Sequence, residues 1–105
     1  MTLPEALDAR LSRILDDIVA PGAVRVDTEA IFPREAIAAL GEAGILGLLS
    51  STEVGGAGGT VDGAARVVER LAARCGSTAM VVCMHYCGTA VIERFGEQGV
   101  REAIA

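Results

Sequence analysis

The reactive side chains of this sequence crowd into one stretch: Cys75, Cys83, His85, Tyr86 and Cys87. Cys83 and Cys87 are four residues apart, which places them on one face of a helix. Two thiolates at that spacing could supply half of a zinc site, but zinc takes four ligands. His85 is two residues from each cysteine and so points to another side of the helix. No acidic ligand is evident beside this apolar stretch, and no metal site is assigned. The cysteines are read as small packed hydrophobes. His85 is the only histidine, so any acid–base scheme is drawn to it. No Ser-His-Asp or Cys-His arrangement follows from the spacing, and no residue is assigned a catalytic role. The expectation is a hydrogen-bonded histidine, in the core or between domains. The Tyr86 hydroxyl is expected to meet a polar partner at an edge.

A second feature that could do chemistry is the loop Gly55-Gly56-Ala57-Gly58-Gly59, set between an apolar segment and a helix. A dinucleotide-binding G-x-G-x-x-G read from Gly56 needs glycine at 61, where Val61 stands. A P-loop needs lysine after its last glycine, and Ala64 follows Gly63. The mechanical reading is preferred: these glycines permit positive φ in a tight connection between packed elements.

Composition bounds the partners. The 105 residues carry a net charge of −5, and all nine basic residues are arginine. An acidic chain without basic clusters is a poor match to a phosphate backbone, so no nucleic acid is expected. No basic amphipathic face suggests an anionic membrane. The longest apolar run, 79–92, is interrupted by His85, Tyr86 and Gly88 and is shorter than the ~20 residues needed to cross a bilayer. The N-terminus, with early acids, does not read as a secretory signal. An odd cysteine count in helical pattern suits reduced thiols in a cytoplasmic protein, and nine Arg with no Lys, Asn or Trp suit a GC-rich bacterial genome. Aromatics are only 3% of the chain, so the core must be built from Ala, Val, Ile and Leu, which suits close helix packing.

The elements that must position these residues read as helices over 4–19, 33–43, 61–75 and 78–95, in one partial domain spanning 1–105. In the first, Thr2 and Glu5 form a capping box, and Leu7, Leu11, Ile14, Leu15 and Ile18 form one apolar stripe. Pro21-Gly22 is expected to end it, leaving 23–31 as a linker. Pro33 suits a first helical position, Ile37 and Leu40 face inward, and Gly44 is a left-handed C-cap. Residues 45–49 form a buried turn or a short extended piece. Thr60 caps the next helix, whose apolar face is Val61, Ala64, Ala65, Val68, Leu71, Ala72 and Cys75. Arg66, Glu69, Arg70 and Arg74 make its solvated face. Ser77 caps the last of the four, which is apolar nearly all round and so should be surrounded by protein on most sides. Gly96 stops it, and 97–105 begins another helix.

The order of motifs over residues 28–105 resembles the N-terminal helical domain of flavin-dependent acyl-CoA dehydrogenases. Phe32-Pro33-Arg34-Glu35 leads through Leu40 to Gly44; Gly47-Leu48-Leu49 follows, then Gly55-Gly56 and Gly58-Gly59. Val67, Glu69, Leu71 and Ala72 continue the pattern, with Arg74, Cys75, Ser77 and Thr78 after them. The resemblance implies an all-α, antiparallel helical array from a longer parent, the chain itself reading as truncated. It implies an acyl-CoA substrate, FAD held mainly by a middle domain, and a homo-oligomeric parent assembled through other domains. The family's catalytic Glu lies in its C-terminal domain, and no Glu here matches it. The fragment alone is expected to hold no FAD.

In that family one face of the fourth helix lines the acyl cavity. The resemblance puts Ala79, Met80, Cys83, Met84 and Cys87 near that wall. Small and flexible apolar residues suit a dry slot for an acyl tail; the same residues could equally do no more than pack the helical core. Two rival readings stand beside the dehydrogenase. Related flavin monooxygenases share the helical domain, and a non-catalytic helical interaction module would need no cofactor.

Overall fold

A computed structural model describes residues 3–105, and the chain is an all-α array; no strand occurs among the described residues. The Thr2 cap lies outside the described residues. Helix α1 (Glu5–Ile14) runs without a break through a π-helical turn, Leu15–Val19, into α2 (Ala20–Glu29). Helices α3 (Arg34–Glu42), α4 (Val61–Ala72), α5 (Gly76–Phe95) and α6 (Gln98–Ile104) follow.

The expected stop at Pro21 does not occur, and the expected linker is helical as far as Glu29. In a regular α-helix the proline ring would press on the carbonyl four residues back and its missing N–H would leave that carbonyl unpaired. The π turn removes the conflict just upstream. The Ala20 N–H donates to Leu15 O, five residues back, so the helix is locally wider where the proline enters. The chain finally leaves helix at Ala30, which takes a left-handed conformation (φ 51°).

The core is the inner stripe of this long helix, Leu7, Leu11, Leu15 and Val19, packed with Ala36, Leu40, Ile45, Leu48, Val67, Leu71, Val82 and Tyr86. Each leucine fully withdrawn from water contributes about 1.5–3 kcal/mol. Ile14 and Ile18 lie at the edge of the stripe, half-buried. Arginines of α4 stitch the outer edge: Arg70 pairs with Asp8 and donates to Ser12 Oγ (2.7 Å), and Arg74 meets Asp16 at 3.2 Å. These arginines thus tie α4 to α1 and to the π turn, and within the helix Arg66 pairs with Glu69.

Gly44 (φ 82°) closes α3 as expected. Pro33 sits one position outside that helix, its carbonyl accepting from the Ile37 N–H. Residues 45–49 are a buried turn. Thr60 caps α4, its Oγ1 accepting from the Gly63 N–H at 3.3 Å. The inner face of α4 differs from the expected one. Gly63, Ala64, Val67 and Leu71 are buried, whereas Val61 is 73% exposed and Ala65 and Ala72 also face outward. A run of alanine and valine offers several possible stripes, and tertiary packing selects among them.

Ser77 does not cap α5. The Arg74 and Cys75 amides both donate to Leu71 O, so the corner falls at the extended Cys75, and the helix restarts at Gly76. Nor is α5 enclosed on most sides. Thr78, Ala79, Val82, Tyr86 and Thr89 form its one buried face, while Met80, Met84, Val91 and Phe95 are each at least 60% exposed.

Candidate functional site

Helices α4 and α5 share the most extensive interface in the molecule. Between them, beside Leu49 of the buried turn, lies an apolar groove of about 360 Å³. Val61, Ala64, Ala65 and Val68 of α4 line one side; Cys83, Tyr86, Cys87 and Ala90 of α5 line the other, with Leu49 between them.

The five residues expected on a cavity wall separate into three groups. Cys83 and Cys87 border the groove. Ala79 is only 4% exposed and belongs to the core. Met80 and Met84 are about as exposed as Val91, at 62% and 61%, and are not among the groove's lining residues. The cysteines divide as well: Cys75 is buried, as a packed hydrophobe should be, but Cys83 is half-buried and Cys87 exposed. Sequence spacing grouped residues along α5 alone, so it missed the α4 side of the groove. Only the position of one helix against the other brings Ala65 and Val68 to it.

His85 and Tyr86 anchor α5 to the turn. The Tyr86 hydroxyl donates to Ile45 O at 2.6 Å, and the ring is buried, where an edge position had been expected. Burial pushes the phenol pKa well above its ordinary value, so the hydroxyl stays a donor. His85 Nε2 lies 2.7 Å from Leu46 O. A carbonyl can only accept, so this nitrogen carries the proton. The histidine is hydrogen-bonded, as expected, and it serves the scaffold.

The glycine loop folds back on the same turn. A short 3-10 segment, Thr52–Val54, is capped by Ser51, whose side chain accepts from the Glu53 N–H. Beyond it the Gly55 amide donates to Thr52 O, Gly56 to Ser51 O, Ala57 to Gly47 O, Gly58 to Ser50 O and Gly59 to Leu48 O. Gly55 and Gly58 take positive φ, as the mechanical reading requires. Phosphate-binding loops work by turning unpaired amides toward the ligand. Here all five are spent on backbone carbonyls, so the loop is a clasp and does not fit the pyrophosphate of a dinucleotide.

At the far end of α5, Glu93 pairs with Arg101 of α6. The hydrogen bond from Arg101 is the main cause holding the Glu93 carboxyl below its ordinary pKa; partial burial opposes it, and a backbone hydrogen bond from Ser51 adds to it. Among the described residues no group of three or more His, Cys, Asp or Glu side chains could hold a metal ion, and no helix is long and apolar enough to cross a membrane.

Comparison with known proteins places this geometry. The family model described as "Acyl-CoA dehydrogenase, N-terminal domain" matches residues 4–104. A protein of Clostridium acetobutylicum named "Acyl-CoA dehydrogenase, short-chain specific" is 34% identical over 82 residues, covering 76% of this chain and 22% of that protein. "Probable acyl-CoA dehydrogenase YngJ" of Bacillus subtilis is 37% identical over 62 residues, covering 59% of this chain and 16% of that protein. The chain therefore spans about a fifth of the length of the curated relatives it matches. No solved structure gives a significant match. With nearly every residue covered by the family model, and with the all-α array it calls for, this chain belongs to the acyl-CoA dehydrogenase family, as its N-terminal helical domain.

Proposed function

We propose that this chain is the first part of a longer, FAD-dependent acyl-CoA dehydrogenase, cytoplasmic and homo-oligomeric, and that it supplies part of the wall against which the acyl tail of the thioester lies. The observation that supports this reading is the groove between α4 and α5, whose lining residues are all apolar apart from the Tyr86 hydroxyl, itself already engaged. A hydrocarbon tail gains by leaving water in such a slot, and shape alone then sets the preference among chain lengths.

The reaction of the full protein is α,β-dehydrogenation of an acyl thioester. This chain contributes positioning and water exclusion to it. Its residues do not fit a flavin, since the one glycine-rich loop has its amides occupied. The flavin and the base that takes the α proton are assigned to the rest of the parent. Cys83 and Cys87 are the wall residues favoured by the groove; Met80 and Met84 lie on the neighbouring exposed face of α5, where they would meet substrate or another part of the parent.

The test is kcat/KM over a series of acyl-CoA lengths, for the full-length protein and its Cys83→Phe variant, with thermal midpoints alongside. A lost apolar contact in a pocket changes discrimination by about 1–3 kcal/mol per methylene. Selective loss of long or branched substrates, with the shortest spared, is the expected result. A uniform drop across all lengths that tracks lost stability means that the helix is scaffold only.

A further inference from the structure

The two thiols in the groove have a use that an acyl wall does not require. Cys83 and Cys87 both border it, both lie within α5, and neither is fully buried. Four residues apart on a helix, their Cβ atoms are held about 5–6 Å from each other. A disulfide needs its Cβ atoms at about 3.5–4.5 Å, so the helix keeps this pair from closing on itself. A bridge with one further atom between the sulfurs spans the gap. Zinc is a poor occupant, because it takes four ligands and no third His, Cys, Asp or Glu joins the pair. His85 is turned to Leu46 and the Tyr86 hydroxyl to Ile45. What suits two soft thiols with no further ligand is a thiophilic acceptor that needs only two bonds from the protein.

We infer that Cys83 and Cys87 form a dithiol site for trivalent arsenicals at the edge of the α4–α5 groove. In the step, an arsenoxide R–As=O takes up both thiols. Two S–As bonds form, the As–O bonds break, and the oxygen leaves as water with the two thiol protons. Arsenic stays trivalent, so no oxidant or reductant is needed. The bridged atom and its substituent occupy the groove mouth between Cys83 and Cys87, next to Ala90. This site does not depend on what the groove binds.

The experiment uses the 105-residue chain, phenylarsine oxide as the probe, and excess 2-mercaptoethanol as the competing monothiol. One arsenical per chain should survive the monothiol and leave on addition of a dithiol. Of the three thiols, one should stay free, and peptide mapping should place the bridge on the segment holding Cys83 and Cys87. Cys83→Ser and Cys87→Ser should each weaken retention about 10²- to 10⁴-fold, the gain that tethering a second ligand provides. Cys75→Ser should leave retention unchanged, because Cys75 is buried and its Sγ accepts from Thr78 Oγ1 at 3.3 Å. Circular dichroism checks that each variant stays helical, and the mapping on the unaltered chain decides if one does not. No retention against monothiol, retention undiminished in both single variants, or a bridge mapped to Cys75 would overturn the site. A second arm adds butyryl-CoA. Slower arsenical uptake in its presence supports the acyl slot as well; uptake without protection leaves the dithiol site standing.

Discussion

The Tyr86 hydroxyl reaches the Ile45 carbonyl across 2.6 Å, from the middle of α5 to the start of the buried turn. The same carbonyl also accepts from the Leu48 N–H at 3.2 Å. Losing the hydroxyl therefore does not leave the carbonyl without a partner. Tyr86→Phe is expected to cost about 0.5–1.5 kcal/mol, the net worth of one hydrogen bond. Tyr86→Ala, which also empties the ring's site, is expected to cost about 3–5 kcal/mol. Urea midpoints of the three proteins would check both values; equal losses would mean that the ring contributes nothing.

The same tyrosine sets an alkaline limit. Its folded pKa is raised by burial, so below the unfolded value of about 10 it contributes no pH dependence. As the pH rises beyond that, the unfolded chain ionises first and binds fewer protons, and stability falls until the folded pKa is passed. Tyr86 is the only tyrosine, so phenolate absorbance in the near ultraviolet reports it alone. Absorbance should appear together with unfolding, and Tyr86→Phe should lose stability less steeply above this pH. Phenolate appearing in the intact fold near pH 10 would contradict the burial.

Glu93 gives the acid counterpart at the α5–α6 corner. Its carboxyl is held below the ordinary range chiefly by the hydrogen bond from Arg101. A depressed carboxyl stabilises above the unfolded pKa of about 4.3, and the contribution is lost as pH falls through the folded value. Hydrogen exchange in α6 should accelerate over that range. Glu93→Gln should show fast α6 exchange already at neutral pH, with little further change on acidification. An α6 as protected in the variant as in the parent chain would show that the ion pair does not hold it.

Two glycines should respond to alanine in opposite directions. A Cβ on Gly56 would stand 2.2 Å from Ser50 O and 2.4 Å from Ser50 Cβ, so the clasp must open to admit it. Loss of about 1–3 kcal/mol or more is expected, as for overpacking elsewhere. Gly88 lies inside α5 with nothing within 4 Å of such a Cβ, and alanine there should stabilise by about 0.5–1 kcal/mol through helix propensity. Thermal midpoints moving the same way in both variants would refute the distinction.

Leu7, Leu11 and Leu15 could be read from sequence because polar residues mark the other side of the helix. Gly44 and Thr60 could be read because their roles are local: a backbone conformation and a hydroxyl three residues from its donor. Pro21 was misread because the rule that proline ends a helix assumes α-geometry, and the five-residue hydrogen bond from Ala20 changes it. In α4 and α5 the pattern is weak, since alanine, valine and methionine occur on inner and outer faces alike. Which stripe is buried is then decided by the neighbouring helix. For the same reason the groove was half legible: Cys83 and Cys87 were named from α5, and Ala65 and Val68 were not.

The π turn at Leu15–Val19 also determines what a single-residue deletion would do. An α-helix advances about 100° per residue, and a turn closed by a five-residue hydrogen bond takes up one surplus residue, so α1 and α2 keep the phase of a regular helix one residue shorter. Removing one residue from that turn would restore regular winding. Val26, half-buried beside the core, would keep its place. Pro21 would then face a carbonyl it cannot serve. The loss would fall on the proline and not on the packing, so the wide turn is a slack link: it lets a proline sit inside one continuous rod whose apolar stripe stays on the same core.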